Sequence, residues 1–371
     1  MDTVTGIFDF GITQLTILQM VKVFITGAAI TAVMTPVAIW LAPKIGAVDI
    51  PKDGRRMHTK PMPRFGGMAM FIGITVSLFI YLPISQRVSG VIVGGILIFI
   101  VGIIDDLKNM PAKVKFICQI GCATVLYMFN IRILHISNPF DQSHLIFFHP
   151  AVSFLVTVIW VVGVTNTINL IDGLDGLAAG VSAISAVAIA YVAYIHGVYG
   201  VTIAMLAVAG GAAGFLPYNF NPAKIFMGDG GSLFLGFMLA SLSIISPFKS
   251  ATFVAIIVPV FVLAVPIFDT LFAILRRAIN KRPIMEADKG HLHHRIVAAG
   301  FGQRRAVLTI YAISGVMGVA AITLSRQLKV ETVLLVFIAV TLIYVFLTDS
   351  HSVDLVHAAK GKNNIQEDKD K

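Results

Sequence analysis

The stretch Val164-Thr-Asn166-Thr-Ile-Asn169-Leu-Ile-Asp172-Gly-Leu-Asp175-Gly176-Leu-Ala-Ala-Gly180 joins two apolar runs, 150–170 and 176–196. A helix needs about 20 mostly apolar residues to cross a bilayer. Two such runs around a polar corner read as two membrane spans and the turn between them. Working outward, the same pattern recurs near 18–42, 65–84, 89–104, 114–130, 199–218, 231–247, 251–275, 305–325 and 330–348. The expected fold is therefore all-α, a polytopic integral membrane bundle of about eleven helices. One domain should cover 1–349, with a polar tail over 350–371. No internal repeat is evident.

Composition supports this reading. Of 371 residues, 57% are apolar and 13% charged, where soluble globular chains carry about 25% charged residues. Mean hydropathy is +0.88. An ordinary soluble enzyme, a disordered chain and a collagen-like fibre are excluded. The net charge of +9 is not a nucleic-acid signal, because the basic residues lie in short loops rather than on one soluble face. Cys118 and Cys122 share one apolar run, which argues against a disulfide framework or a zinc site. The start of the chain lacks the basic region of a cleaved signal peptide, so the first run is expected to be a retained span.

Eleven spans place the termini on opposite sides. One set of alternate loops (43–64, 105–115, 166–175, 219–229, 276–305 and the tail) holds all but six of the 28 lysines and arginines. The other set holds Arg87, Arg132, Lys249, Arg326 and Lys329, and Lys22 lies within the first span. Basic loops stay in the cytoplasm, so the N-terminus is expected outside and the C-terminus inside. The unusual polar residues collect on that same cytoplasmic side, as an active site at the membrane surface would.

Five motifs carry the chemistry. Asp105 and Asp106 end the run from Val101 to Lys108, where a helix dipole disfavours anions. A divalent cation or a nearby lysine (Lys108, Lys113 or Lys115) should offset them; a solvated helix end is the plainer alternative. Asn166, Asn169 and Asp172 recur every three residues and share a helical face. Asp175 drifts off that face unless Gly173 breaks the helix. Their amide and carboxylate oxygens suit Mg²⁺; a polar cap between helices would look similar.

The third motif, Asn219 to Ser232, places Asp229 and a glycine run at a helix start. Free N–H groups there favour phosphate, although the Walker spacing is absent. Lys224 adds a cation. Phe226 would stack on a base or, more simply, pack in the core. In the fourth, Asp288 to Arg295, the adjacent His293 and His294 make a poor zinc geometry, and anion or sugar contacts with an Arg295 fork fit better. Arg55 to Gly67 is a basic, proline-ordered loop that either sets topology against anionic lipid or receives a lipid phosphate.

In combination and order, these motifs resemble the polyprenyl-phosphate N-acetylhexosamine-1-phosphate transferases from about residue 40 to 310. The resemblance implies transfer of N-acetylhexosamine 1-phosphate from a UDP-sugar to a polyprenyl phosphate, with release of UMP. It implies Mg²⁺, with Mn²⁺ as a substitute, held by Asp229 with Asn169 beside it. Asp105 and Asp106 match the pair that activates the lipid phosphate or helps hold the metal. Lys115 matches the lysine on the diphosphate, Asp175 and Phe226 the uracil contacts, and His293, His294 and Arg295 the element facing the sugar or its phosphate. Asn166, Asp172 and Asn219 complete the substrate-binding set.

The His-Leu-His-His-Arg sequence looks more like enzymes using UDP-GlcNAc than those using the peptidoglycan pentapeptide. UDP-GlcNAc and undecaprenyl phosphate are thus the expected substrates, with UDP-GalNAc the alternative. The product would open synthesis of teichoic acid or a related cell-envelope polymer. The resemblance places the protein in a bacterial inner membrane, in contact with membrane lipid and without a nucleic-acid partner. A homodimer is admitted, the sequence leaving the oligomeric state open. A secondary transporter is disfavoured because its site would lie near mid-bilayer. A CDP-alcohol phosphatidyltransferase is disfavoured because its arginine and later aspartate pair are missing.

Overall fold

The structure, a computed structural model, describes residues 12–50, 61–137, 145–245, 259–260, 262–279, 296–297, 300 and 302–325. Among these residues are ten helices of sixteen residues or more: α1 Ile17–Ile45, α2 Gly66–Tyr81, α3 Gln86–Lys108, α4 Ala112–Met128, α5 Pro150–Ile171, α6 Leu177–Ile195, α7 Tyr199–Asn219, α8 Gly228–Ile245, α9 Ala264–Ile279 and α10 Gln303–Ser325. Seven of these are long and apolar enough to cross a membrane, and α2 and the first part of α9 are shorter apolar helices. Ten of the expected spans thus coincide with a helix. The ninth shows a continuous helix from Ala264, and the run 330–348 lies outside the described residues.

The all-α expectation needs one correction. Val48–Asp49 (β1) pairs antiparallel with Met62–Pro63 (β2), and His135–Ser137 (β3) with Leu145–Phe147 (β4). Both ribbons lie in connections between helices, where they satisfy backbone groups that no helix serves.

α8 is the central post. Nearly nine-tenths of its apolar window (89%) is buried, against 28% for α1. Beyond Asp229 it carries no charge, and a helix that is apolar all round packs inside a bundle. α3 and α5 pack on α8, α1 packs on α7 and α2, and α6 packs on α7 and α10. The outer helices leave Ile17, Leu18, Val33, Phe79, Ile80, Leu155 and Ile159 exposed. Apolar cover on that scale would be anomalous in a soluble monomer; it fits a lipid-facing belt.

Helix ends follow local chemistry. Thr16 and Gln19 form a capping box at the start of α1, which ends on a left-handed Gly46. Such caps satisfy N–H and C=O groups that a helix end leaves unpaired. The helix break expected around Gly173 is present. α5 stops at Ile171, and Gly176, at φ +80°, supplies the left-handed residue that starts α6.

Candidate active site

Five elements bring polar side chains to one end of the bundle. The end of α3 supplies Asp105 and Asp106, the start of α4 supplies Lys115, the end of α5 supplies Asn169, and the first turn of α8 supplies Asp229 and Ser232. Arg64 comes from the segment before α2. The carboxylates lie close enough to repel, and the cations between them hold the cluster together.

Lys115 Nζ lies 2.7 Å from Asp105 Oδ2 and 2.8 Å from Asp229 Oδ1. Arg64 Nε lies 3.0 Å from Asp106 Oδ1, and its Nη2 meets Asp229 Oδ2 in a very short contact. The amide of Asn169 donates to Asp229 Oδ1 (2.6 Å) and to Ser232 Oγ (2.8 Å). Met110 N–H donates to Asp105 Oδ1 (2.7 Å). The adjacent aspartates of α3 are thus split between two cations, Asp105 on Lys115 and Asp106 on Arg64.

The start of α8 corrects the phosphate-cradle expectation. Its N–H groups at Asp229 and Gly230 donate to Asp106 Oδ1 and Oδ2, at 2.8 and 2.9 Å. The anion capping this helix is therefore a carboxylate from α3, which satisfies both the free donors and the positive dipole end.

Asp172 stands just past the end of α5 and accepts no hydrogen bond among the described residues. Desolvation pushes its carboxyl up to about 7, the nearby Asp229 carboxylate adds to this, and Arg64 pulls the other way. Burial alone would lower the pKa of Arg64; Asp106 and Asp229 outweigh it and hold the guanidinium above its ordinary value.

The other expected residues stand apart from the cluster. Asn166, one turn back on α5, pairs its amide with that of Gln119 in both directions, at 2.5 and 3.2 Å. Asp175 Oδ2 accepts from Asn221 Nδ2 (2.9 Å) and Ala223 N–H (3.1 Å), so it fastens the 220–223 turn. Asn221 also donates to Gln303 on α10. Phe226 is half-buried, and its backbone joins the segment before α2: Phe226 N–H donates to Pro63 O and Gly66 N–H to Phe226 O, at 2.8 and 3.0 Å. His293, His294 and Arg295 lie outside the described residues.

Asn219 is fully buried and acts as a clasp. Its Oδ1 accepts from Gly176 N–H (3.1 Å), and its Nδ2 donates to Ile225 O (2.9 Å). Asn219→Ala strands two buried backbone groups, each costing about 1–3 kcal/mol. Its thermal midpoint in detergent should fall clearly below wild type; an unchanged midpoint would refute the clasp.

Sequence reading missed Arg64, Gln119 and Asn221 as members of these networks. Arg64 had a signal, a cation directly before the Gly66-Gly67 pair, but nothing local named its partners.

Could the cluster hold a divalent cation? Four carboxylates (Asp105, Asp106, Asp172 and Asp229) face two cations, leaving two formal negative charges when all ionise. That excess matches one divalent ion. The donors are hard oxygens, which suit Mg²⁺ or Mn²⁺, and Asp172 is uncommitted. No three acidic, histidine or cysteine side chains are already gathered at metal distance among the described residues. Arg64 and Lys115 occupy the Asp229 oxygens instead.

Residues 88–247 match the family model described as glycosyl transferase family 4. The chain is 42% identical over 326 residues to a Bacillus subtilis protein named "probable undecaprenyl-phosphate N-acetylglucosaminyl 1-phosphate transferase", covering 87% of this chain and 90% of that one. It is 36% identical to a decaprenyl-phosphate N-acetylglucosaminephosphotransferase of Mycobacterium tuberculosis, covering 82% of each. It is 28% identical to a phospho-N-acetylmuramoyl-pentapeptide-transferase of Staphylococcus aureus, over 78% of this chain and 95% of that one. With an apolar bundle that closes on this charged cluster, the chain belongs to the polyprenyl-phosphate N-acetylhexosamine-1-phosphate transferases, a polytopic membrane family of transferases.

Proposed function

We propose that the protein transfers N-acetylglucosamine 1-phosphate from UDP-GlcNAc to undecaprenyl phosphate, giving undecaprenyl-diphosphate-GlcNAc and UMP. The observation that carries this reading is the Asp105–Asp106–Lys115–Asn169–Asp229 cluster at one end of an apolar bundle. The higher identity to the two GlcNAc-phosphate enzymes than to the pentapeptide enzyme supports the donor. The segregation of lysine and arginine supports eleven spans, an outside N-terminus, and an active site on the cytoplasmic face of the bacterial inner membrane.

The chemistry exchanges one diphosphate for another. An oxygen of the lipid phosphate forms a bond to the sugar-linked phosphorus, and the bond from that phosphorus to UMP breaks. Such transfers depend mainly on positioning and charge stabilisation. Lys115 can turn from Asp229 to a diphosphate oxygen while it keeps Asp105. Asp105 and Asp106, at the cytoplasmic end of α3, would activate the lipid phosphate or help hold the metal. Mg²⁺ on Asp229 and Asn169, with Asp172 adjacent, would screen the charge that otherwise keeps two anions apart. His293, His294 and Arg295 would meet the sugar or its phosphate.

Purified protein in detergent should release UMP only when UDP-GlcNAc, undecaprenyl phosphate and Mg²⁺ are all present. EDTA should abolish release, and Mn²⁺ should restore much of it. Release from UDP-GalNAc but not UDP-GlcNAc would overturn the donor. Undiminished release in EDTA would overturn the metal.

A further inference from the structure

Two cations bridge the carboxylates of α3 and α8: Lys115 spans Asp105 and Asp229, and Arg64 spans Asp106 and Asp229. The Arg64 fork places Nε on Asp106 and Nη2 on Asp229. The position is built into the backbone. Arg64 pairs in parallel with Phe226; Arg64 N–H donates to Ala47 O (2.8 Å) and Gly67 N–H to Met227 O (2.9 Å). The strand carrying Arg64 is therefore stitched to the residues that lead into Asp229. Yet the side chain is 31% exposed, whereas that of Asp106 is 2% exposed. The guanidinium closes the outer side of an acidic pair that is otherwise shut in.

We propose that Arg64 is a displaceable stand-in for the divalent cation: it neutralises Asp106 and Asp229, and yields Asp229 to the metal and turns to an anionic phosphate oxygen when the donor arrives. The inference rests on the metal reading above. Three features argue for it. A guanidinium and a divalent ion can each satisfy the Asp229 carboxylate, so the two compete for it. Arginine is weakly hydrated and forks onto phosphate as readily as onto carboxylate. Its pairing with Asp106 survives the exchange, because Nε and Nη2 serve different partners, so the backbone stitch need not open. Lys115 alone cannot do this, since it does not reach Asp106 in this arrangement.

A role as simple structural glue and a role as a stand-in predict opposite signs. Mn²⁺ binding by the ligand-free protein, followed by electron paramagnetic resonance, reads the first step. UDP binding in saturating Mg²⁺, followed calorimetrically, reads the second. Arg64→Gln removes the competitor, so Mn²⁺ should bind about tenfold more tightly, while UDP binds about tenfold more weakly. Arg64→Lys keeps the charge but loses the fork, and should lie between wild type and Arg64→Gln in both assays. Its thermal midpoint and gel-filtration profile check folding. If Mn²⁺ binding weakens or stays the same in both variants while wild type binds Mn²⁺, the stand-in is overturned and the metal reading survives. If neither wild type nor Arg64→Gln binds Mn²⁺, the metal reading falls and the stand-in with it.

Discussion

Asp229→Asn should lower UMP release by at least about a thousandfold while leaving the protein folded. Asp229 is where the two cations and the Asn169 amide converge, so the change removes the one negative charge that organises all three. The asparagine is nearly isosteric, but it turns one oxygen into a donor that faces Lys115 or Arg64. Those cations are not orphaned, because Lys115 keeps Asp105 at 2.7 Å and Arg64 keeps Asp106 at 3.0 Å. Loss of structure is therefore the smaller effect, and the thermal midpoint should move by only a few degrees. Activity within tenfold of wild type would remove Asp229 from the reaction. Full loss of folding would show that the carboxylate is part of the architecture first.

The second large effect concerns stability. α2 and α3 grip the first turn of α8 through glycines. A Cβ on Gly102 would stand 2.6 Å from the carbonyl oxygen of Asp229 and closer still to Gly230 Cα. A Cβ on Gly67 would stand 2.6 Å from Gly231 Cα. In both cases the obstacle is backbone, which cannot rotate away as a flexible side chain would. Overpacking a tight core costs about 1–3 kcal/mol, and a rigid obstacle belongs at the upper end. Gly102→Ala should thus lower the thermal midpoint markedly. Because the displaced turn carries Asp229, it should also cost about a hundredfold in rate, the penalty for misplacing a catalytic group by an ångström. Gly163→Ala on α5 is the control: nothing lies within 4 Å of its added methyl, and it should behave as wild type. Equal midpoints for Gly102→Ala and Gly163→Ala would refute the grip.

Much of this molecule was legible in its sequence, for a definite reason. Lipid tolerates few charges, so each carboxylate near a span had to have a partner or a purpose. That logic drew attention to Asp105 and Asp106 and offered Lys108, Lys113 or Lys115 as an offsetting cation, of which Lys115 is the one that pairs with Asp105. The spans were legible because apolar length is set by bilayer thickness. What stayed hidden depends on contacts between distant segments. Arg64 and Asp229 are 165 residues apart, and no local spacing announces their pairing. The free N–H groups at the start of α8 pointed correctly to an anion, but the anion proved to be Asp106. Asp175 and Asn219 also hold turns through hydrogen bonds that their spacing did not announce. Their polarity is the same whether they grip a ligand or a backbone, so type and spacing alone do not separate the two uses.

The order of synthesis gives the Asp106 contacts a further consequence. Asp105 finds Lys115 ten residues later, within the same hairpin of α3 and α4. The N–H groups that cap onto Asp106 belong to residues 123 and 124 positions further on. Until α8 is made those two donors do not exist, whereas Arg64 precedes Asp106 in the chain and is already present to pair with it. The capped form of Asp106 is therefore complete only once α8 has joined the bundle.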